Sequence, residues 1–179
     1  MAAVDFFRRG RKQVTIAHFD QGTSFGAQAR RFVEEYAKEH SIPICVDSIK
    51  SDKPIDQSWE EWWRNQRYEF LLSLAGTEPI VTAHHLDDAC EWWLQSALHG
   101  EAKLIPPKNG RIIRPFLATP KQELQDWCHR RGIYYLDDPS NETTRFDRGI
   151  IRNKMIPLAL QINPGLATVI RKKYKARCG

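Results

Sequence analysis

No C-x-x-C pair occurs anywhere in the 179 residues, and the four cysteines, Cys45, Cys90, Cys128 and Cys178, are widely scattered. That spacing argues against a disulfide framework and against a zinc site built on cysteines, and reads as reduced thiols in a cytoplasmic protein. Apolar runs long enough to span a bilayer are missing, as is a signal-peptide core behind a basic start. Internal repeats and low-complexity tracts are missing too, which removes solenoids and disordered linkers from consideration. What remains is 41% hydrophobic and 27% charged, a globular balance. The length suits one domain with a real core. A formal net charge of +5 favours an anionic partner, though many basic domains bind no nucleic acid.

Residues 1–10 carry apolar positions at helix spacing before a glycine stop, with no cap ahead of them, as in a helix already under way. Short apolar runs then alternate with longer amphipathic ones, the pattern of strand–helix–strand units around a parallel sheet. Strands are expected at residues 14–18, 44–49 and 78–83. A helix capped by Thr23 or Ser24 should follow the first of them. Ser58 and Glu61 have capping-box spacing ahead of a helix reaching about Leu74, and Asp88 and Glu91 repeat that spacing for the next helix. Thr119 as N-cap and Pro120 at the first helical position open another, which should end at Gly132.

Three constellations could carry chemistry. The first is the H-H-x-D-D-x-x-E stretch of residues 84–91, where a buried strand meets a helix. Ligands of open parallel sheets bind at such strand exits. His84, His85, Asp87 and Asp88 there could hold Mg²⁺ and phosphate or orient an amine. The alternative is that Asp87 or Asp88 merely caps the helix while the histidines satisfy backbone carbonyls. The second runs from residue 137 to 157. Arg148 and Arg152, four apart, would share a helix face and could grip a phosphate, or form a solvated basic face. The third, residues 60–68, interleaves Trp62, Trp63, Arg64, Arg67 and Tyr68, which could stack bases or simply form core and rim. The segment 171–177 is basic enough to touch RNA, or to be a solvated end.

In this order the constellations resemble the N-terminal catalytic domain of tRNA(Ile)-lysidine synthases, a family of PP-loop (N-type) ATP pyrophosphatases. The resemblance runs from near residue 1 to about residue 166. Residues 18–22 look like the family's H-x-x-H-G segment, with Gln21 for the second histidine. Arg64, Arg67 and Tyr68 fall on its A-R-x-x-R-Y helix, Arg114 and Pro115 on its R-P-L-L turn, and Asp138 to Asn141 on its D-x-S-N loop. Residues 148–157 follow R-N-x-x-R-x-x-x-x-P, except that Gly149 stands where the family has Asn. Trp62, Trp63, Trp92 and Trp93 occupy positions where relatives often have smaller residues.

The resemblance implies an α/β parallel-sheet three-layer sandwich, adenine nucleotide alpha-hydrolase-like and Rossmann-like, missing its first strand and helical at its C-terminal end. The catalytic portion would span residues 1–166 and a basic tail residues 167–179. It implies a ligase that adenylates the C2 oxygen of the wobble cytidine with ATP and then joins lysine there. Its partners would be tRNA(Ile) with a CAU anticodon and free L-lysine, in the cytoplasm, with no membrane and with a homodimer left open. His84, His85, Asp87 and Asp88 would be catalytic, the two aspartates holding Mg²⁺. Arg64, Arg67, Arg114, Arg148, Arg152 and Asn141 would bind tRNA or nucleotide. The family's S-G-G-x-D-S loop, whose backbone N–H groups cradle ATP, does not occur in the sequence. By resemblance, that loop and its strand would lie just upstream of Met1, as in a truncated gene model; a loop-supplying partner and a non-catalytic tRNA-binding remnant are alternatives. A two-thiocytidine-type thiolase is another, but its usual C-x-x-C pairs are missing.

Overall fold

The computed structural model describes residues 1–144 and 147–178. Arg145, within the second constellation, lies outside the described residues. The chain divides into two compact units, one of residues 3–80 and one of residues 81–179 with residues 1–2. It is a mixed α/β protein with a parallel sheet and a helical C-terminal end.

In the first unit the order is α1 (Ala2–Arg9), β1 (Ile16–Asp20), α2 (Gly26–Glu39), β2 (Ile44–Ser48) and α3 (Trp59–Ala75). β1 and β2 pair in parallel, with Ile16 opposite Ile44 and Asp20 opposite Ser48. A parallel pair needs a crossover, and α2 supplies it. Both α2 and α3 pack on β1. The buried residues Ile16, Tyr36, Ala37, Ile42, Trp62 and Phe70 form the interior. Phe19 of β1 meets Phe70 of α3 with ring centroids 5.6 Å apart.

Ser58 caps α3 as its spacing predicts, accepting the Glu61 N–H at 3.1 Å. The cap expected for α2 is absent. That helix starts two residues later, behind Phe25, with no side-chain cap bond. The chain first turns at Gly22, whose N–H donates to Asp20 Oδ1 at 2.9 Å, and the Thr23 carbonyl then takes the Gly26 N–H at 2.9 Å. A Cβ at Gly26 would overlap the Asp20 carboxylate, which would have to swing away from the turn.

The expected third strand shrinks to β3 (Ile80–Val81) and does not extend the parallel sheet. It joins β5 (Ile112–Ile113), which also pairs antiparallel with β4 (Lys108–Asn109). Among the described residues the parallel sheet therefore has two strands. Pro79 offers no N–H to a ladder, which limits how much of residues 78–83 can pair.

The second unit continues with α4 (Leu86–Leu98), α5 (Lys121–Arg131), a 3₁₀ turn (Pro139–Glu142), α6 (Asp147–Ile150), a π turn (Ile151–Met155), α7 (Ile156–Ile162) and α8 (Leu166–Cys178). Its core joins Leu86, Ala89 and Cys90 of α4 to Leu117 and to Ile170 and Tyr174 of α8. Ala89 and Ile170 are fully buried. Burying an isoleucine is worth about 1.5–3 kcal/mol, so α8, which falls within the residues 167–179 read from sequence as a basic tail but for its first residue, contributes to folding. Tyr174 also donates its hydroxyl to the Ile105 carbonyl at 3.0 Å. α5 ends where expected: Gly132 has φ 63°, and the Ile133 N–H returns to the Cys128 carbonyl at 2.9 Å.

Candidate functional site

β3 delivers His84 and His85 to the start of α4. His84 Nδ1 lies 2.9 Å from Thr82 Oγ1. His85 is the N-cap, in an extended conformation. Its Nδ1 accepts the Asp88 N–H at 3.4 Å while Asp88 Oδ2 accepts the His85 N–H at 2.9 Å. The reciprocal box is thus His85 with Asp88, three residues ahead of the Asp88–Glu91 box the spacing suggested. Sequence rules look for Ser, Thr, Asp or Asn at an N-cap, and an imidazole nitrogen doing the same work is invisible to them.

Asp87 serves a different helix. Its Oδ2 accepts the Lys121 N–H at 2.8 Å, at the start of α5. Thr119, expected to be that cap, instead gives its carbonyl to the Leu86 N–H at 2.9 Å. The formal N-cap of α5 is Pro120, which makes no side-chain cap bond. The N-termini of α4 and α5 therefore satisfy one another's orphan N–H groups. Two carboxylates in the first turn of α4 also favour its dipole.

Arg148 and Arg152 converge on this segment from about sixty residues downstream. Arg148 donates from Nε to Glu91 Oε2 at 2.8 Å and from Nη2 to Asp88 Oδ1. Arg152 grips Glu91 in a fork, Nε to Oε1 at 2.6 Å and Nη2 to Oε2 at 3.0 Å. Its Nη1 donates to Asn141 Oδ1 on the 3₁₀ turn. The Glu91 side chain is only 5% exposed, against 44% for Arg148 and 31% for Arg152. Two guanidinium charges face two carboxylates, so the cluster is formally neutral. Such bidentate pairs offset the cost of burying a carboxylate.

Arg152 sits within the π turn, a local widening of the helix that often accompanies functional sites. The loop ahead of it is closed by Asn153, whose Nδ2 donates to the Asn141 carbonyl at 3.0 Å. Gly149 has a reason here: a Cβ would overlap the Thr143 carbonyl oxygen. An asparagine, as in the resembling family, would need the loop of residues 141–144 to stand further off.

Of the other sequence candidates, Arg114 is buried beside β5 and donates to the Pro106 carbonyl at 2.9 Å. Arg64 and Arg67 belong to the first unit, where their guanidiniums lie 5.8 and 5.7 Å from the centre of the Tyr68 ring. In that third constellation Trp62 is core. Sequence reasoning missed Glu91 as the hub of the cluster and Asn153 as the loop's anchor. The signal for Glu91 was present, because it lies three residues after Asp88 on one helix face.

Cys90 lies behind this cluster. Burial, with the nearby charges of Asp87 and Glu91, pushes its thiol up to about 12, so it is neutral and unreactive at physiological pH. Asp87 and Asp88 are the carboxylates that would hold Mg²⁺. The Asp87 and Asp88 carboxylates take the N–H and guanidinium bonds just described. Among the described residues no three His, Cys, Asp or Glu side chains gather as metal ligands.

The fold is that of the adenine nucleotide alpha-hydrolase class. A solved U34-tRNA thiolase NcsA from Methanococcus maripaludis, carrying a [4Fe-4S] cluster, has this fold. It superposes with a TM-score of 0.77 at 14% identity over 98% of this chain and 66% of that one. The PP-loop domain model matches residues 3–159, and the chain belongs to that family. Among its curated relatives, a tRNA(Ile)-lysidine synthase of Thermotoga sp. strain RQ2 is 29% identical over 85% of this chain and 39% of its own length. The synthase of Haemophilus ducreyi is 28% identical over 96% and 42%. That of Francisella philomiragia is 32% identical over 76% and 38%. The chain spans about two fifths of the length of these relatives.

Proposed function

We propose that this chain is the PP-loop portion of an ATP-dependent tRNA-modifying ligase of the lysidine-synthase type. In that reaction the C2 oxygen of the wobble cytidine attacks the α-phosphorus of ATP and expels pyrophosphate. The side-chain amine of free L-lysine, having lost a proton, then attacks C2 and expels AMP. The substrate RNA is tRNA(Ile) with a CAU anticodon, and the setting is the cytoplasm. The observation that carries the reading is the convergence of Arg148 and Arg152 on Asp88 and Glu91, within the strand-exit segment that bears the H-H-x-D-D-x-x-E sequence. The names of the relatives supply the reaction.

The residues divide the work. Glu91, Asp88 and Asn141 position the arginines. Arg152, saturated by Glu91 and Asn141, is a positioning residue. Arg148 is the more exposed and is the one to meet a phosphate of tRNA or nucleotide. His84 is the candidate proton acceptor for the lysine ammonium. His85 and Asp87 hold the helix ends on which the others depend. Arg114 supports β5 from within, and Arg64 and Arg67 offer a cationic rim on α3. No step is routed through Mg²⁺.

The test is incorporation of radiolabelled lysine into a CAU-anticodon tRNA(Ile) transcript, using the chain supplied with an S-G-G-x-D-S strand and loop. Lysine should become acid-precipitable, with release of AMP and pyrophosphate, and replacing the wobble cytidine should abolish it. Lack of incorporation by a protein that includes the S-G-G-x-D-S loop would refute the ligase reading.

A further inference from the structure

The net positive charge of this chain comes from its last 32 residues. Residues 148–179 contain eight Lys and Arg and no Asp or Glu. Taking those eight from the chain's 27 Lys and Arg leaves 19 against 22 Asp and Glu, so residues 1–147 are net acidic. Arg148 and Arg152 are matched by Asp88 and Glu91. The unmatched charge therefore falls mainly on α8, which carries Arg171, Lys172, Lys173 and Lys175 within two turns.

The placement of these side chains follows from helix geometry. Ile170 and Tyr174 turn inward and are buried. Lys172 and Lys175, three apart, then lie on the opposite side, and both are exposed. Lys173 extends over the Trp93 ring, 5.0 Å from its centre. Among the described residues no carboxylate pairs with Lys172, Lys173 or Lys175. Like charges at i,i+3 and i,i+4, here Lys172 with Lys175 and Arg171 with Lys175, disfavour a helix. The helix dipole welcomes a cation in the last turn, not a set of four across two turns.

We infer that the outer face of α8, centred on Lys172 and Lys175, is a docking surface for the phosphate backbone of RNA, separate from the Arg148–Glu91 cluster. The choice of RNA rests on the tRNA-modifying reading above. A membrane surface is disfavoured because a helix lying on lipid needs a free apolar face, and the apolar face of α8 is spent in the core. The contact is electrostatic and indifferent to sequence, so it holds the substrate without selecting it.

Binding of the full chain is measured by fluorescence anisotropy over a salt series. The probes are a CAU-anticodon tRNA(Ile) transcript, a tRNA transcript with another anticodon, and phosphatidylserine–phosphatidylcholine vesicles. One variant carries Lys172→Glu with Lys175→Glu, and a second carries Lys172→Gln with Lys175→Gln. Each released counterion is worth roughly four- to fivefold at about 0.15 M salt, so the Gln variant should bind both RNAs about ten- to thirtyfold more weakly. Its salt slope should fall by about 1.5. The Glu variant should be weaker still, and neither should lower the thermal transition because the two lysines are exposed. Unchanged RNA affinity and salt slope would overturn the inference, as would a loss seen with vesicles and not with RNA. Equal weakening on both tRNAs supports α8 docking even if lysine incorporation fails, so the two readings fall separately.

Discussion

Glu91→Gln keeps the shape of the side chain and removes the charge on which two arginines converge. In the native protein Glu91 accepts three guanidinium N–H bonds while only 5% exposed. After the substitution the amide offers one acceptor oxygen and points N–H groups at N–H groups. Two guanidinium charges are then left with Asp88 alone. Removing one partner of a buried pair costs about 3–5 kcal/mol. Arg148 and Arg152 are partly exposed, so water recovers some of that, leaving about 2–3 kcal/mol. For a chain of this length, 1 kcal/mol shifts Tm by about 2–4 °C, which predicts a drop of about 5–10 °C by circular dichroism. Hydrogen exchange should rise first over residues 139–155, the segment the arginines tie to α4. Adding Arg152→Gln restores the charge balance and should cost at least about 1 kcal/mol less than the two single changes summed. A Tm within about 1 °C of wild type for Glu91→Gln, or strict additivity in the double variant, would show that the cluster contributes nothing to holding α6 and the π turn.

Gly149→Ala places a methyl against the Thr143 carbonyl and should destabilise by about 1–3 kcal/mol, with faster proteolysis between residues 141 and 147. The buried Cys90, its thiol pushed up to about 12, should resist iodoacetamide in the native state and react only on unfolding. Among Cys45, Cys90 and Cys128 the half-buried Cys45 should be alkylated first, and mass spectrometry of the labelled peptides would reveal any reversed order. His18 has its pKa lowered, chiefly by burial, so the unfolded chain takes up its proton at higher pH than the folded one. Its contribution is therefore intact above about 6.5, the unfolded value, and lost as pH falls through the folded one. His18→Asn should flatten stability against pH below about 6.5, and denaturant melts at several pH values with an unchanged slope would contradict this.

Much of the local structure could be read from the chain because its signals are local. Ser58 three residues before Glu61, and Gly132 after a basic last turn, mark the helix ends they occupy. The alternation of apolar runs yields β1, α2 and β2 at nearly their observed positions. At the site, the identity of the polar residues was legible and their assignment was not. Asp87 and Asp88 are adjacent in sequence, yet one closes its own helix and the other caps α5, 34 residues on. Spacing could not show this, because the partner is chosen by which N–H group is brought near in three dimensions. The arginines were expected on one face and do share partners. Their commitment to Glu91 follows from the approach of the π turn to α4, a long-range contact.

By itself the sequence determined where helices and strands can start and stop, which residues are apolar enough to be buried, and that the charge is basic toward the end. Those properties depend on neighbours within a few positions along the chain. Only the tertiary structure decided that residues 78–83 leave two residues for a strand that joins β5, that His85 rather than Asp88 opens α4, and that Glu91 neutralises two distant arginines. Hydrogen bonds and ion pairs are short-ranged, so their partners are set when distant segments pack, and no local pattern encodes that choice.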